Sequence, residues 1–263
     1  MSANITSVTG RRIAGAMLFL PVTGAFFLSH TVAQWMLFAI AGVMVWEFAS
    51  MMRLSMPLRL TLLMDFALFA LPAPLFVHFE SVAGMSLLPV LAALAGIMIL
   101  FVWMTTRDVV AVGFSAVMIA CILAARGMLG FDDGHYLLLS VAAIVAGCDI
   151  AAYFTGRTIG GPRLAPSISP NKTRSGAVGG LVAAVAACIL LRSVMQFEVA
   201  EAVIAGAVIA VLAQGGDLLE SVLKRRVGVK DSGNLIPGHG GFLDRFDGYL
   251  LTLPAVYLYS LVG

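Results

Sequence analysis

Charge is what this sequence has least of. Only 11% of its 263 residues are Asp, Glu, Lys or Arg, while 60% are hydrophobic. A soluble domain of ordinary composition carries about 25% charged residues, and without them nothing covers a core against water. A soluble globular enzyme is therefore excluded, and lipid is the solvent for most of the chain. Cysteine is equally scarce. Cys121, Cys148 and Cys188 lie inside apolar runs, with neither paired spacing nor metal-type neighbours. They read as small buried hydrophobes, not as a disulfide framework or a zinc site. His30, His78 and His135 show no ligand spacing and fall near span ends, where interfacial positions are expected. A soluble domain, a low-complexity tract and an internal repeat are all missing, and nothing in the chain requires a nucleic-acid partner.

What is present is a series of apolar runs. Crossing the hydrocarbon takes about 20 mainly apolar residues, and nine runs qualify: 12–30, 32–52, 60–79, 85–105, 108–126, 135–155, 177–195, 199–220 and the short 247–262. Irregular backbone at membrane depth leaves polar groups unpaired, so each run is expected to be a helix. The predicted fold is all-α, a polytopic membrane bundle of about nine transmembrane helices. Arg11 and Arg12 ahead of the first run imitate a signal peptide, but no small-residue cleavage site follows, which points to a retained helix.

Basic residues set the expected orientation. With the N-terminus cytoplasmic, only Arg126 and Arg192 of the 16 Lys and Arg residues fall near the outer face. The others, among them Arg53, Arg59, Arg107, Arg157, Arg163 and Arg174, fall inside. The expected location is the cell (inner) membrane, multi-pass, with the chemistry facing the cytoplasm. Two longer loops, 156–176 and 221–246, hold nine of the basic residues and most of the Gly-Pro punctuation. This divides the chain into a lipid-embedded scaffold, 1–130, and a catalytic region, 131–263.

The second loop and its flanks carry the densest chemistry. On a helix, Asp217, Glu220, Ser221 and Lys224 stand at i, i+3, i+4 and i+7 and share one face. Asp244 and Asp247 repeat the i, i+3 spacing at the start of the last run. Acidic groups at membrane-embedded helix ends are costly unless paired or metal-bound, and Mg²⁺ typically takes one or two carboxylates together with substrate phosphates. Lys224, Arg225, Arg226, Lys230 and Arg245 are suited to neutralising phosphate charge. The glycines at 238, 240 and 241 permit close backbone approach, and Asp231, Asn234 and His239 lie among them. For His239 the flanking glycines favour loop geometry or a phosphate hydrogen bond over a general base. In the first loop, Asp149 ends a span, and Ser169, Asn171, Lys172 and Thr173 offer donors to phosphate or ribose. Pro166 and Pro170 are expected to keep that loop extended. The combination reads as metal-assisted phosphoryl or nucleotidyl transfer. Glu47 and Asp65 lie inside early spans, where interhelical hydrogen bonding is the simpler account and the lining of a lipid-entry cavity the other.

The 27 residues from Ser221 to Asp247, SVLKRRVGVKDSGNLIPGHGGFLDRFD, resemble the signature of the phosphatidate cytidylyltransferase (CDP-diacylglycerol synthase) family, and the SPNKT run from Ser169 to Thr173 is similar to a second family region. The resemblance covers the C-terminal half. It implies CTP and phosphatidate as substrates, with CDP-diacylglycerol and pyrophosphate as products. It also implies a metal centre of Mg²⁺, with room for a second cation, on the acidic residues matching Asp217 and Asp244, and Asp247 joins them by position. Asp217, Asp244, Lys224, Arg245 and His239 then become the candidate catalytic residues. Ser169, Asn171, Lys172, Arg225, Arg226, Lys230, Asp231, Asn234 and Asp149 become candidate substrate contacts. Two positions depart from the family pattern. Many members have Asp-Thr-Gly or Asp-Thr-Ala where this chain has Asp149-Ile150-Ala151, and many have an acid where it has Ser175. The sequence leaves the oligomeric state open, a homodimer included. Two rivals remain: a CTP-dependent kinase of polyprenol or phytol, and a transporter of phosphorylated solutes. The charges cluster at one face instead of threading the spans, which speaks against transport.

Overall fold

A computed structural model describes residues 24, 29–69, 88–236 and 240–262 of the chain. Most of the expected first span (12–23 and 25–28), the later part of the third, His78 and His239 lie outside the described residues. Eight helices are described: α1 (His30–Met51), α2 (Met56–Phe69), α3 (Leu88–Thr106), α4 (Val109–Met128), α5 (Gly134–Thr158), α6 (Arg174–Met195), α7 (Val199–Arg226) and α8 (Tyr249–Ser260). Among the described residues, five helices are long and apolar enough to cross a membrane: α1, α4, α5, α6 and α7. The fold is thus a helical membrane protein. Helix α8, expected as a span over 247–262, has 12 residues and measures about 18 Å, short of a hydrocarbon layer of about 30 Å.

The helix starts follow from local chemistry. Ser29, Asp108 and Thr173 each lend a side-chain oxygen to a backbone N–H of the first turn of α1, α4 and α6, satisfying donors the helix cannot. A reciprocal pair of Glu198 and Glu201 caps α7. Lys224, Arg225 and Arg226 in its last turn complement the dipole, and the helix continues six residues past the expected end at 220. Packing relies on small residues. In α6 the buried positions Gly176, Gly180, Ala184 and Cys188 recur every four residues, which lets α5 and α7 approach closely without a hydrophobic driving force. The three cysteines are free and buried. Large apolar side chains such as Leu190, 83% exposed, point outward.

Between α5 and α6 the first loop forms a hairpin where only an extended loop was expected. Strands β1 (Arg163–Ala165) and β2 (Ser169–Thr173) pair antiparallel, Arg163 opposite Thr173 and Ala165 opposite Ser169. The hairpin, the α3–α4 corner and the 227–247 loop meet at one end of the bundle. Arg226 at the end of α7 pairs with Asp108 of the corner at 2.6 Å, and Arg225 donates to the Ile168 carbonyl in the hairpin turn at 3.2 Å.

Candidate active site

The one-face alignment expected on α7 is present. Ser221 Oγ lies 3.4 Å from Asp217 Oδ1, and one turn on Lys224 Nζ reaches Glu220 Oε2 at 2.8 Å. Each end of this row receives a partner from a different loop. The hairpin brings Lys172 Nζ to 2.5 Å from Asp217 Oδ2. The 227–247 loop brings Asp244 Oδ1 to 2.6 Å from Lys224 Nζ.

Asp244 belongs to a single 3-10 turn, Leu243–Arg245, and not to the start of α8. Its second oxygen, Oδ2, accepts from the Gly241 N–H at 2.8 Å, the Ser232 N–H at 2.9 Å and the Ser232 hydroxyl at 3.0 Å. Burial works against its ionised form. The hydrogen bond and charge of Lys224, followed by the two backbone donors, outweigh that and hold its pKa below the ordinary value. Asp244 is thereby committed on both oxygens, to Lys224 and to its own loop.

Asp247 follows in the turn before α8. A side chain at Gly216 would collide with the Asp247 carbonyl oxygen, so glycine at that point of α7 admits the turn. The Asp247 carboxyl is pushed well above its usual range, first by burial and then by the carboxylates of Asp217, Glu220 and Asp149. Its neighbours are therefore mostly of its own sign. Five carboxylates (Asp149, Asp217, Glu220, Asp244 and Asp247) face three cationic groups: Lys172, Lys224 and Arg245, the last acting on Asp149. Acids thus outnumber bases in the cluster, an excess that a bound cation would relieve. Among the described residues no three Asp, Glu, His or Cys side chains converge to hold a metal unaided. The donor set fits a Mg²⁺ whose coordination is completed by water and phosphate oxygens.

Beside this cluster opens a cavity of about 600 Å³. Ile40, Met44, Ile122 and Leu138 contribute to its apolar lining, and Asp149, Asp244, Arg245 and Asp247 line it as well. The acidic cluster thus borders a mostly apolar cavity.

The sequence profile of the cytidylyltransferase family matches residues 9–262. The chain belongs to that family. It is also similar to proteins named phosphatidate cytidylyltransferase. Over 151 residues, 57% of this chain and 54% of the relative, it is 44% identical to one from Brucella suis biovar 1 (strain 1330). Over 126 residues, 47% of each, it is 40% identical to one from Bacillus subtilis (strain 168). A third, from Rickettsia felis, is 37% identical over 139 residues, 50% of this chain and 61% of the relative. The chain spans about half the length of the curated relatives it matches.

Within this member of the cytidylyltransferase family the remaining candidate residues separate by position. Lys172 is at the cluster, and Ser169 and Asn171 share its strand, Asn171 exposed. Lys230, Asp231 and Asn234 are exposed on the loop. Arg225 and Arg226 are directed elsewhere: Arg225 ties the hairpin turn and the Val229 carbonyl, and Arg226 ties Asp108. Ser175, at the position where an acid was noted as common, donates to the Gly160 carbonyl and lies 3.1 Å from Thr173 Oγ1. It braces the hairpin base. Ile150, the other departure, is exposed and lines the cavity. Sequence reasoning passed over Asp108 altogether and left Glu47 as an interhelical or cavity residue. Glu47 instead hydrogen-bonds to the 227–247 loop. The only advance signal was its charge, alone in the apolar helix α1.

Proposed function

We propose that this protein is a phosphatidate cytidylyltransferase of the inner membrane, with its N-terminus and active site on the cytoplasmic side. It would transfer CMP from CTP to phosphatidate, giving CDP-diacylglycerol and pyrophosphate. The observation that carries this reading is the junction of an acidic, lysine-bearing cluster with a mostly apolar cavity. CTP is confined to water and the acyl chains to the bilayer, so a site joining them belongs at such a junction. The names of the curated relatives support the same activity.

A phosphate monoester is largely doubly ionised at neutral pH, its second pKa being about 6, so the reaction needs no strong general base. An oxygen of the phosphatidate phosphate forms a bond to the α-phosphorus of CTP, and the bond from that phosphorus to the bridging oxygen of pyrophosphate breaks. Asp217, with Asp149 and Asp247 beside it, would hold Mg²⁺, while Asp244 fixes the loop and Lys224 against it. When bound, the ion supplies charge neutralisation at both phosphates. Lys172, now paired with Asp217, would turn to a phosphate oxygen, and Arg245, which lines the cavity, would meet the lipid phosphate. Catalysis on this reading is positioning and charge compensation.

The test uses purified protein, Mg²⁺, phosphatidate and CTP labelled at either phosphate. Label from the α-phosphate is expected in the lipid phase and label from the γ-phosphate in pyrophosphate. Appearance of γ-label in lipid assigns a lipid kinase instead, and solute uptake without CTP turnover assigns a transporter.

A further inference from the structure

Glu47 is 3% exposed and is the only Asp, Glu, Lys or Arg in α1. A carboxylate buried in an apolar helix is costly unless hydrogen-bonded, and its partners are not on a neighbouring helix. Glu47 Oε2 accepts from the Leu243 N–H at 2.7 Å and from the Ser232 hydroxyl at 3.2 Å, across 196 and 185 residues of chain. That hydroxyl also lies 3.0 Å from Asp244 Oδ2 and accepts the Asp244 N–H at 3.3 Å. Ser232 has one hydroxyl hydrogen to give, so it stands shared between two carboxylates, one from each half of the chain. The loop also presses onto Glu47 with bare backbone: a Cβ at Gly241 would stand 2.7 Å from Oε2, and one at Gly233 would stand 2.6 Å from Oε1.

We infer that Glu47 is a positioning residue of the active site, holding Leu243 and Ser232 so that Asp244 and Lys224 stay aimed at the acidic cluster. It acts through its oxygen acceptor. Through these bonds the first half of the chain contributes to the site instead of merely framing it. The inference rests on the cytidylyltransferase reading for its catalytic consequence, while the held loop is observed independently of it.

The experiment compares Glu47→Ala, Glu47→Gln and Ser232→Ala in detergent by steady-state kinetics and by hydrogen exchange. Misplacement at a distance from the reacting atoms can cost about 100-fold. That loss is expected in kcat for Glu47→Ala, with the KM for phosphatidate little changed and with faster exchange confined to residues 231–244. Ser232→Ala is expected to show the same signature, more weakly, and serves if Glu47→Ala does not fold. Glu47→Gln, which keeps an oxygen acceptor, should recover most of kcat and the slow exchange. Wild-type kcat with unchanged exchange in Glu47→Ala overturns the inference. So does a Glu47→Gln as slow as Glu47→Ala, or exchange that rises equally in α6 and α7. If the wild-type protein transfers no cytidylyl group, the proposed activity falls, and the exchange comparison still decides whether Glu47 holds the loop.

Discussion

Two lysine–aspartate pairs sit one helical stretch apart in this site, and water reaches them very differently. Lys172 and Asp217 are 24% and 30% exposed, whereas Lys224, Asp244 and Glu220 are 10%, 7% and 0% exposed. A water-accessible pair contributes about 0–1 kcal/mol, so it can be exchanged for a ligand at little cost. A buried pair that loses one member strands a charge and costs about 3–5 kcal/mol. The outer pair is therefore suited to working on substrate and the inner one to holding the loop. Sequence reasoning gave Asp217 and Asp244 a common role, and the structure gives them different surroundings.

The comparison can be broken most decisively at Lys224. Lys224→Met leaves Glu220 and Asp244 facing each other, and a loss of about 3–5 kcal/mol is expected, read as a collapse of the thermal transition and of folded yield. Next, Asp217→Asn should lower cytidylyl transfer by at least about 100-fold, the scale of a lost transition-state charge partner, with the melting temperature unmoved. Asp244→Asn should lower both. If Asp217→Asn melts early and Asp244→Asn does not, the assignment of roles is reversed. Smaller again, Lys172→Met should cost about 10- to 100-fold in kcat/KM for CTP, equivalent to a charge-assisted hydrogen bond of about 1.5–3 kcal/mol, without loss of stability.

Titration sharpens the contrast within the acidic cluster, in the absence of added Mg²⁺. Asp244 has its pKa lowered in the folded state, so its contribution is complete above the unfolded-state value of about 3.9 and is lost as pH falls through the folded value. Asp247 is shifted upward, so protonating it favours the folded protein progressively as pH falls from its raised value toward the unfolded one. Asp247→Asn is expected to stabilise the protein above the ordinary carboxylate range and to flatten its pH dependence there. Asp244→Asn should flatten only the more acidic limb. The smallest effect is expected at Asp108, whose pKa is lowered chiefly by its hydrogen bond from Arg226. With Arg226 54% exposed, Asp108→Asn should cost less than about 1 kcal/mol and leave turnover unchanged.

Much of the helix framework could be read from apolar runs. The runs at 108–126, 135–155 and 177–195 became Val109–Met128, Gly134–Thr158 and Arg174–Met195, because lipid enforces length and hydropathy together. The shared face of Asp217, Glu220, Ser221 and Lys224 was equally readable, being helical arithmetic. The continuation of α7 to Arg226 was not, since charges there resemble a loop until their partners Glu220, Asp244 and Asp108 are known. Nor does composition reveal that Pro166 and Pro170 lie within a hairpin, that Asp244 commits both oxygens to Lys224 and its own loop, or that Glu47 meets Leu243. The last spans 196 residues of chain, and the first two depend on backbone geometry that residue types alone do not specify.

Helix α7 runs unbroken through 28 residues, from its cap at Glu198 to Arg226, about 42 Å at 1.5 Å per residue. Asp217 stands about 27 Å along it from Val199, close to the thickness of a hydrocarbon layer of about 30 Å. On the proposed reading the rod would work as a ruler, seating Asp217 near headgroup height when its other end rests at the opposite surface. Turnover should then follow the acyl length of the host vesicle, peaking where the two thicknesses agree.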